Sequence, residues 1–261
     1  MMADEKPILI ERRGDALWIT INRPERRNAI NNDVIEGIAA GMREANEDAS
    51  IRCVVLTGTG EKAFCAGGDL QQGTSVFGDQ FDEPTTDFGR LARYVRTMGI
   101  PIVARINGAC VAGGTGLMSL CDLVVAADHA RFGLPEARVG VFPHQVQVYF
   151  RQLILPRHAA ELMFTGELIS AERAHEIGLI NYVVPAAGLD AKVEWLVGVL
   201  KGNSPVAMRR GKAAIAAMQA MHFEQALAFA ESQIMLTAQT SDAREGLASF
   251  NEKRKPRWTE G

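Results

Sequence analysis

Residues Pro101–Asp122 read PIVARINGACVAGGTGLMSLCD, and the reading of this stretch decides the fold. Ile102-Val103-Ala104 with Ile106 make an apolar, β-branched run of the kind that forms a buried strand. Asn107-Gly108 ends it with a turn signal. Gly113-Gly114 follow, and Leu117–Cys121 then keep helical spacing. A strand that passes through glycines into a helix leaves the first helical N–H groups unpaired and open to a ligand. With no side chains at Gly113 and Gly114, a substrate oxygen can approach the backbone closely. A plain glycine turn packing a helix on a sheet has the same pattern, so this stretch alone leaves both readings open. A dinucleotide loop fits less well, because Gly114-Thr115-Gly116 continues to Ser119 where that fingerprint needs glycine.

A stretch earlier in the chain repeats the pattern. Cys53-Val54-Val55-Leu56-Thr57 reads as a buried strand, Gly58–Gly68 (GTGEKAFCAGG) as a glycine-rich loop, and Asp69 as a helix start. Two such junctions can offer a pair of N–H donors to one oxygen, which is the geometry of an oxyanion hole. Losing one donor of that kind typically costs about 10²–10³ in rate.

The remaining segments extend outward from these two. Ile8–Ile10 and Ala16–Ile21, separated by Gly14-Asp15, predict a hairpin. The loop Asn22–Asn28 gathers Arg23, Arg26 and Arg27, able to hold phosphates, although a solvated charge run is the commoner meaning. Asn31 or Asn32 caps a helix reaching about Asp48, with Val34, Ile35, Ile38 and Met42 on one face. Residues 71–87 are polar and weakly patterned, and are expected to be a mobile loop that covers a substrate. Phe88–Met98 is helical, Leu123–Ala126 a strand, and Ala130–Gly133 a short strand leading into Leu134-Pro135-Glu136. Strands alternating with helices predict an α/β fold. From Pro156 the chain is mainly helical, with Ser204-Pro205 as N-cap and first helical residue of one helix.

Composition closes several classes. The formal net charge of −3 argues against nucleic-acid binding. No apolar run reaches membrane-spanning length, and MMADEKPILIERRGD lacks the apolar core of a signal peptide, so a cytoplasmic protein is expected. Cys53, Cys65, Cys110 and Cys121 stand singly in apolar surroundings and read as reduced, buried small hydrophobes. His129, His158, His175 and His222 form no metal-ligand spacing, and no metal is expected.

With both glycine turns and Pro135-Glu136 in hand, the chain resembles the crotonase family, the enoyl-CoA hydratase/isomerase superfamily. INRPERRNAIN (Ile21–Asn31) is similar to its first loop, AFCAGGDL (Ala63–Leu70) to its first oxyanion segment, and NGACVAGGTGLMSLCD (Asn107–Asp122) to its second. FGLPE (Phe132–Glu136) matches the turn of the catalytic glutamate, and TGELISAERAHEIG and EGLASFNEKR look like C-terminal pieces. The resemblance implies a spiral of ββα units over residues 1–187, carrying the CoA and oxyanion site. It also implies a helical C-terminal region over 188–261 for packing and oligomerisation, as a homotrimer or dimer of trimers. It assigns the oxyanion N–H groups to Gly68 and Gly113 and the acid/base role to Glu136. Ala66, Asp69 and Leu70 would line the CoA pocket, and Arg27 and Ala29 fall where the first loop touches CoA. No cofactor is implied beyond the CoA thioester as substrate.

The departures bear on the reaction. Many members carry a second glutamate three residues after the position of Gly113, and here that residue is Gly116. One well-placed acid/base is typically worth about 10²–10⁴. Members with glycine there do occur, and AGGTGL is similar to hydratase-like sequences acting on branched unsaturated acyl-CoAs. The glycine-rich segment after the catalytic turn is altered to Val141–Gln147, where His144 is either an auxiliary proton-transfer group or a polar loop residue. Hydration of a 2-enoyl-CoA is the first expectation. Isomerisation of a 3-enoyl-CoA to a 2-enoyl-CoA is the alternative, since one carboxylate can move a proton between two carbons. A binding protein that keeps the CoA pocket without turnover is a third possibility.

Overall fold

The structure is a computed structural model and describes residues 6–71, 73 and 85–258. The expected loop over 71–87 lies for the most part outside the described residues. Strands β1 (Ile8–Arg13) and β2 (Ala16–Ile21) form the predicted antiparallel hairpin, in register from Ile8↔Ile21 to Arg13↔Ala16. Helix α1 (Asn32–Glu47) follows, its N-cap made by the Asn31 side chain accepting the Val34 N–H at 3.0 Å.

Three units then repeat one plan. In the first, β3 (Cys53–Gly58) and β4 (Ala63–Cys65) precede α2 (Asp87–Thr97). In the second, β5 (Ile102–Ile106) and β6 (Ala109–Val111) precede α3 (Gly113–Ser119). In the third, β7 (Leu123–Ala127) and β8 (Arg131–Gly133) lead through a 3-10 helix, Pro135–Val139, to α4 (Gln147–Leu153). Helix α5 (Pro156–Thr165), β9 (Ile169–Ser170), α6 (Ala171–Glu176) and β10 (Tyr182–Val184) follow. The first strand of each unit joins a six-stranded sheet of order β1-β2-β3-β5-β7-β10, and the second joins a four-stranded sheet of order β4-β6-β8-β9. Successive units stack in parallel in both sheets, which makes the expected ββα spiral.

The central strands of the larger sheet, β2, β3, β5 and β7, are buried on both faces. Leu17, Ile19, Val54, Leu56, Ile102 and Ala104 point into the main core. Their alternates Trp18, Cys53, Val55, Val103 and Val125 meet helix α7 (Leu189–Gly202) through Leu189, Val193, Leu196 and Leu200. Period-two alternation between two apolar layers explains why these strands read as continuous hydrophobic runs. Helices α8 (Pro205–Met218), α9 (Phe223–Ala238) and α10 (Ser241–Asn251) complete the chain. Lys212 on α8 ties them to the core by donating to Asp122 at 2.6 Å and to the Ile100 carbonyl at 2.9 Å. The four cysteines are free and buried, and burial pushes the Cys53 and Cys65 thiols up to about 12. Among the described residues no helix is long and apolar enough to cross a membrane.

Three expectations are corrected. The loop Gly58–Gly68 contains β4, whose three apolar residues are too few to register as a strand until β6 pairs with them. No α-helix opens at Asp69; a 3-10 turn occupies Leu70 and Gln71. Helix α3 starts at Gly113, a full turn before the apolar spacing at Leu117 announces it.

Candidate active site

The two glycine turns pack against each other. Gly67 has φ +93°, and a Cβ there would stand 2.7 Å from the Ala112 Cβ and 3.3 Å from the Gly113 nitrogen. A Cβ on Gly113 would lie 3.6 Å from the Gly68 nitrogen. Ala112 itself is held at φ 50° ψ −125°, a left-handed backbone for a residue with a side chain. Strain of this sort costs of order 1–3 kcal/mol and persists only where the surroundings fix it. Here they do: the Ala112 N–H donates to the Gly133 carbonyl at 2.9 Å, and Gly114 lets α3 approach Cys65 so closely that a Cβ would be 2.2 Å from its carbonyl oxygen. Among the described residues neither the Gly68 nor the Gly113 N–H has an acceptor.

Glu136 lies on the 3-10 helix that follows β8. Its strand is bonded to β6 through Val111↔Gly133, immediately before the strained Ala112. Gly140 ends the turn at φ +81°, and the Val141 N–H donates to the Glu136 carbonyl at 3.2 Å. An Arg138–Glu167 ion pair and the close approach of Gly166 to Pro135 fasten the turn to the end of α5. The carboxyl is half-buried, and its Oε2 is buried without a hydrogen-bond partner among the described residues. Burial raises its pKa above the ordinary glutamate value, while its own backbone N–H pulls the other way. A buried carboxyl oxygen without a partner is uncommon in a folded chain, and carboxyls perturbed by burial cluster at functional sites.

Gly116, the position of the missing second glutamate, is buried under apolar groups. A Cβ there would meet Val146 Cγ2 at 3.0 Å and the Phe88 ring at 3.1 and 3.2 Å. His144 is exposed, its ring tilted against Phe142 with centroids 5.2 Å apart and its Nδ1 3.4 Å from Gln147 Nε2.

The first loop is stitched to the Gly67-Gly68 turn by three backbone bonds, Ala66 N–H to Arg27, Ile30 N–H to Gly67 and Asp69 N–H to Ile30. Of the three arginines, Arg23 is half-buried, donating to Asp69 at 2.9 Å and to the Ala29 carbonyl at 2.7 Å. Its hydrogen bond holds the Asp69 carboxyl below the ordinary aspartate value. Arg26 bonds Gln71. Arg27 lines a surface cleft of about 230 Å³ with Asn28, Glu61 and Lys62. Asn28 was only a loop letter in the sequence, yet it is buried and bonds the Arg23 N–H and the Thr59 and Ala63 carbonyls. Ala66 is half-buried, Ala29 buried, and Leu70 exposed. Among the described residues no group of three or more potential ligands gathers to hold a metal ion.

A family profile described as enoyl-CoA hydratase/isomerase matches residues 11–261. The chain is 31% identical to a crotonyl-CoA hydratase of Syntrophomonas wolfei, covering 95% of this chain and 96% of that one. It is also 31% identical to a short-chain-enoyl-CoA hydratase of Clostridium acetobutylicum, over 95% of each chain. Among solved structures, an enoyl-CoA hydratase from Bacillus anthracis superposes with a TM-score of 0.90 at 31% identity, covering 98% of this chain and 100% of that one.

Proposed function

Because the chain belongs to the enoyl-CoA hydratase/isomerase family, we propose that it hydrates a 2-enoyl-CoA through an enolate. The observation that carries this reading is the buried, unpartnered Glu136 Oε2 in the turn joined to the Ala112–Gly113 segment. The free Gly68 and Gly113 amides hold the thioester oxygen as negative charge develops there. Glu136 accepts a proton from water as the water oxygen bonds the β-carbon. The carbon–carbon double bond opens toward the thioester, and the same proton then passes to the α-carbon. Amides carry the charge and one carboxyl carries the proton, so the reading needs no resident metal or redox group. Arg27 and Lys62 offer cations for the CoA phosphates at the cleft they share.

A second reading rests on the apolar cover over Gly116. With Phe88 and Val146 there in place of a second carboxylate, Glu136 alone can carry a proton from the α-carbon to the γ-carbon, converting a 3-enoyl-CoA to a 2-enoyl-CoA. The helices α8–α10 leave Ile215, Phe223, Ile234, Leu247 and Phe250 exposed, and a homotrimer or dimer of trimers would cover them.

Absorbance of the conjugated enoyl thioester tests these readings. Loss of signal from 2-enoyl-CoA, abolished in Glu136→Gln, supports hydration. A signal rising from 3-enoyl-CoA without hydration transfers the assignment to isomerisation. Binding of acyl-CoA with neither change refutes both.

A further inference from the structure

We propose that Phe88 is a specificity-determining residue of the acyl pocket, its ring forming an end wall that favours short acyl groups. The inference rests on the reading of Gly113 as an oxyanion donor. Gly116 follows Gly113 by three residues on the same helix, so the two share a face, about 4.5 Å apart along the axis. The Phe88 ring reaches within 3.1 Å of where a Cβ on Gly116 would stand, and Val146 closes the other side at 3.0 Å. A Cβ on residue 116 would press on the ring, so glycine gives the ring its room there. The ring therefore stands one helical turn from the amide that would hold the thioester oxygen.

Phe88 is not a core residue that happens to lie nearby. It packs against the core but is only partly buried, so part of its surface faces away from the packed interior. It is also held in place. The Thr86 hydroxyl caps α2 by accepting the Gly89 N–H at 2.9 Å, and accepts Gln145 Nε2 at 2.6 Å. The first turn of α2 is thereby clamped to the segment that carries Val146. A wall fixed by two elements, one helical turn from the Gly113 amide, would meet an extended acyl chain after a few carbons.

Equilibrium binding of butanoyl-CoA and decanoyl-CoA reads the wall directly, because saturated thioesters undergo neither hydration nor isomerisation. Wild type is expected to prefer butanoyl-CoA. In Phe88→Ala that preference should fall about tenfold or more, the scale of adding or removing methylene space in an apolar pocket, and Phe88→Leu should fall part-way. Circular dichroism identifies any variant that fails to fold, and either folded variant suffices. An unchanged preference in a folded variant that binds both thioesters overturns the role of Phe88 and leaves the enoyl-CoA reading intact. Failure of wild type to bind either thioester overturns that reading, and this proposal with it.

Discussion

The buried hydroxyl of Thr115 lies 3.1 Å from the Gly133 carbonyl oxygen, joining the helix that begins at Gly113 to the strand end that leads into Glu136. The same hydroxyl lies 2.8 Å from the Cys110 carbonyl, so its one proton faces two backbone acceptors in a buried site. Thr115→Val keeps the shape and removes the donor, an expected loss of about 1–3 kcal/mol. Thermal unfolding should record it as a lower Tm. Thr115→Ser should recover most of the loss, which a purely steric role for the side chain would not allow.

Glu136→Gln is expected to lower kcat/KM by about 10²–10⁴. It should also stabilise the protein in neutral solution. Burial raises the folded-state pKa, so the folded protein keeps the proton longer than the unfolded chain, and stability falls as pH rises above the ordinary value of about 4.3. Glutamine removes that penalty. Urea unfolding should show the variant matching wild type in acid and exceeding it near neutrality; the opposite order would contradict a desolvated carboxyl.

Asp69 gives the reverse pH dependence. Its carboxyl is lowered by the hydrogen bond from Arg23, with the Gln71 N–H adding to it. The pair therefore stabilises the fold above the unfolded aspartate value of about 3.9 and loses that contribution as pH falls through the lowered folded value. Asp69→Ala leaves the partly buried Arg23 without its carboxylate partner, an expected cost of about 1.5–3 kcal/mol for a hydrogen bond to a charged group. The deficit should be seen in neutral urea melts and should shrink in acid.

Gly114→Ala places a methyl 2.2 Å from the Cys65 carbonyl oxygen, where only backbone can yield. Overpacking of this kind typically costs about 1–3 kcal/mol and occasionally more. Gly113→Ala meets first the end of the Ile30 side chain at 3.0 Å, which can move. Chemical denaturation should rank Gly114→Ala as clearly the less stable of the two, whereas Gly113→Ala should lose more activity per unit of lost stability.

Much of this was legible in the chain itself. The hairpin, the buried strands β3, β5 and β7, the Asn31 cap and the Ser204-Pro205 helix start follow from local spacing and capping chemistry, which act over a few residues. The pairing of the Gly67-Gly68 and Gly113 turns was legible too, through two similar strand–glycine passages. The three-residue strands β4 and β6 were not, because their hydrogen bonds run only to each other and to β8.

The sequence by itself determined an α/β chain with two glycine turns and one glutamate turn, because backbone freedom and hydrophobic period are written residue by residue. Tertiary structure decided which groups these turns face. Arg23 is paired with Asp69 rather than free for phosphate, and Asn28 is a buried clasp. Phe88 and Val146 fill the space over Gly116. Each of these contacts joins residues far apart in sequence, and contacts at that range exist only once the packed spiral has brought the segments together.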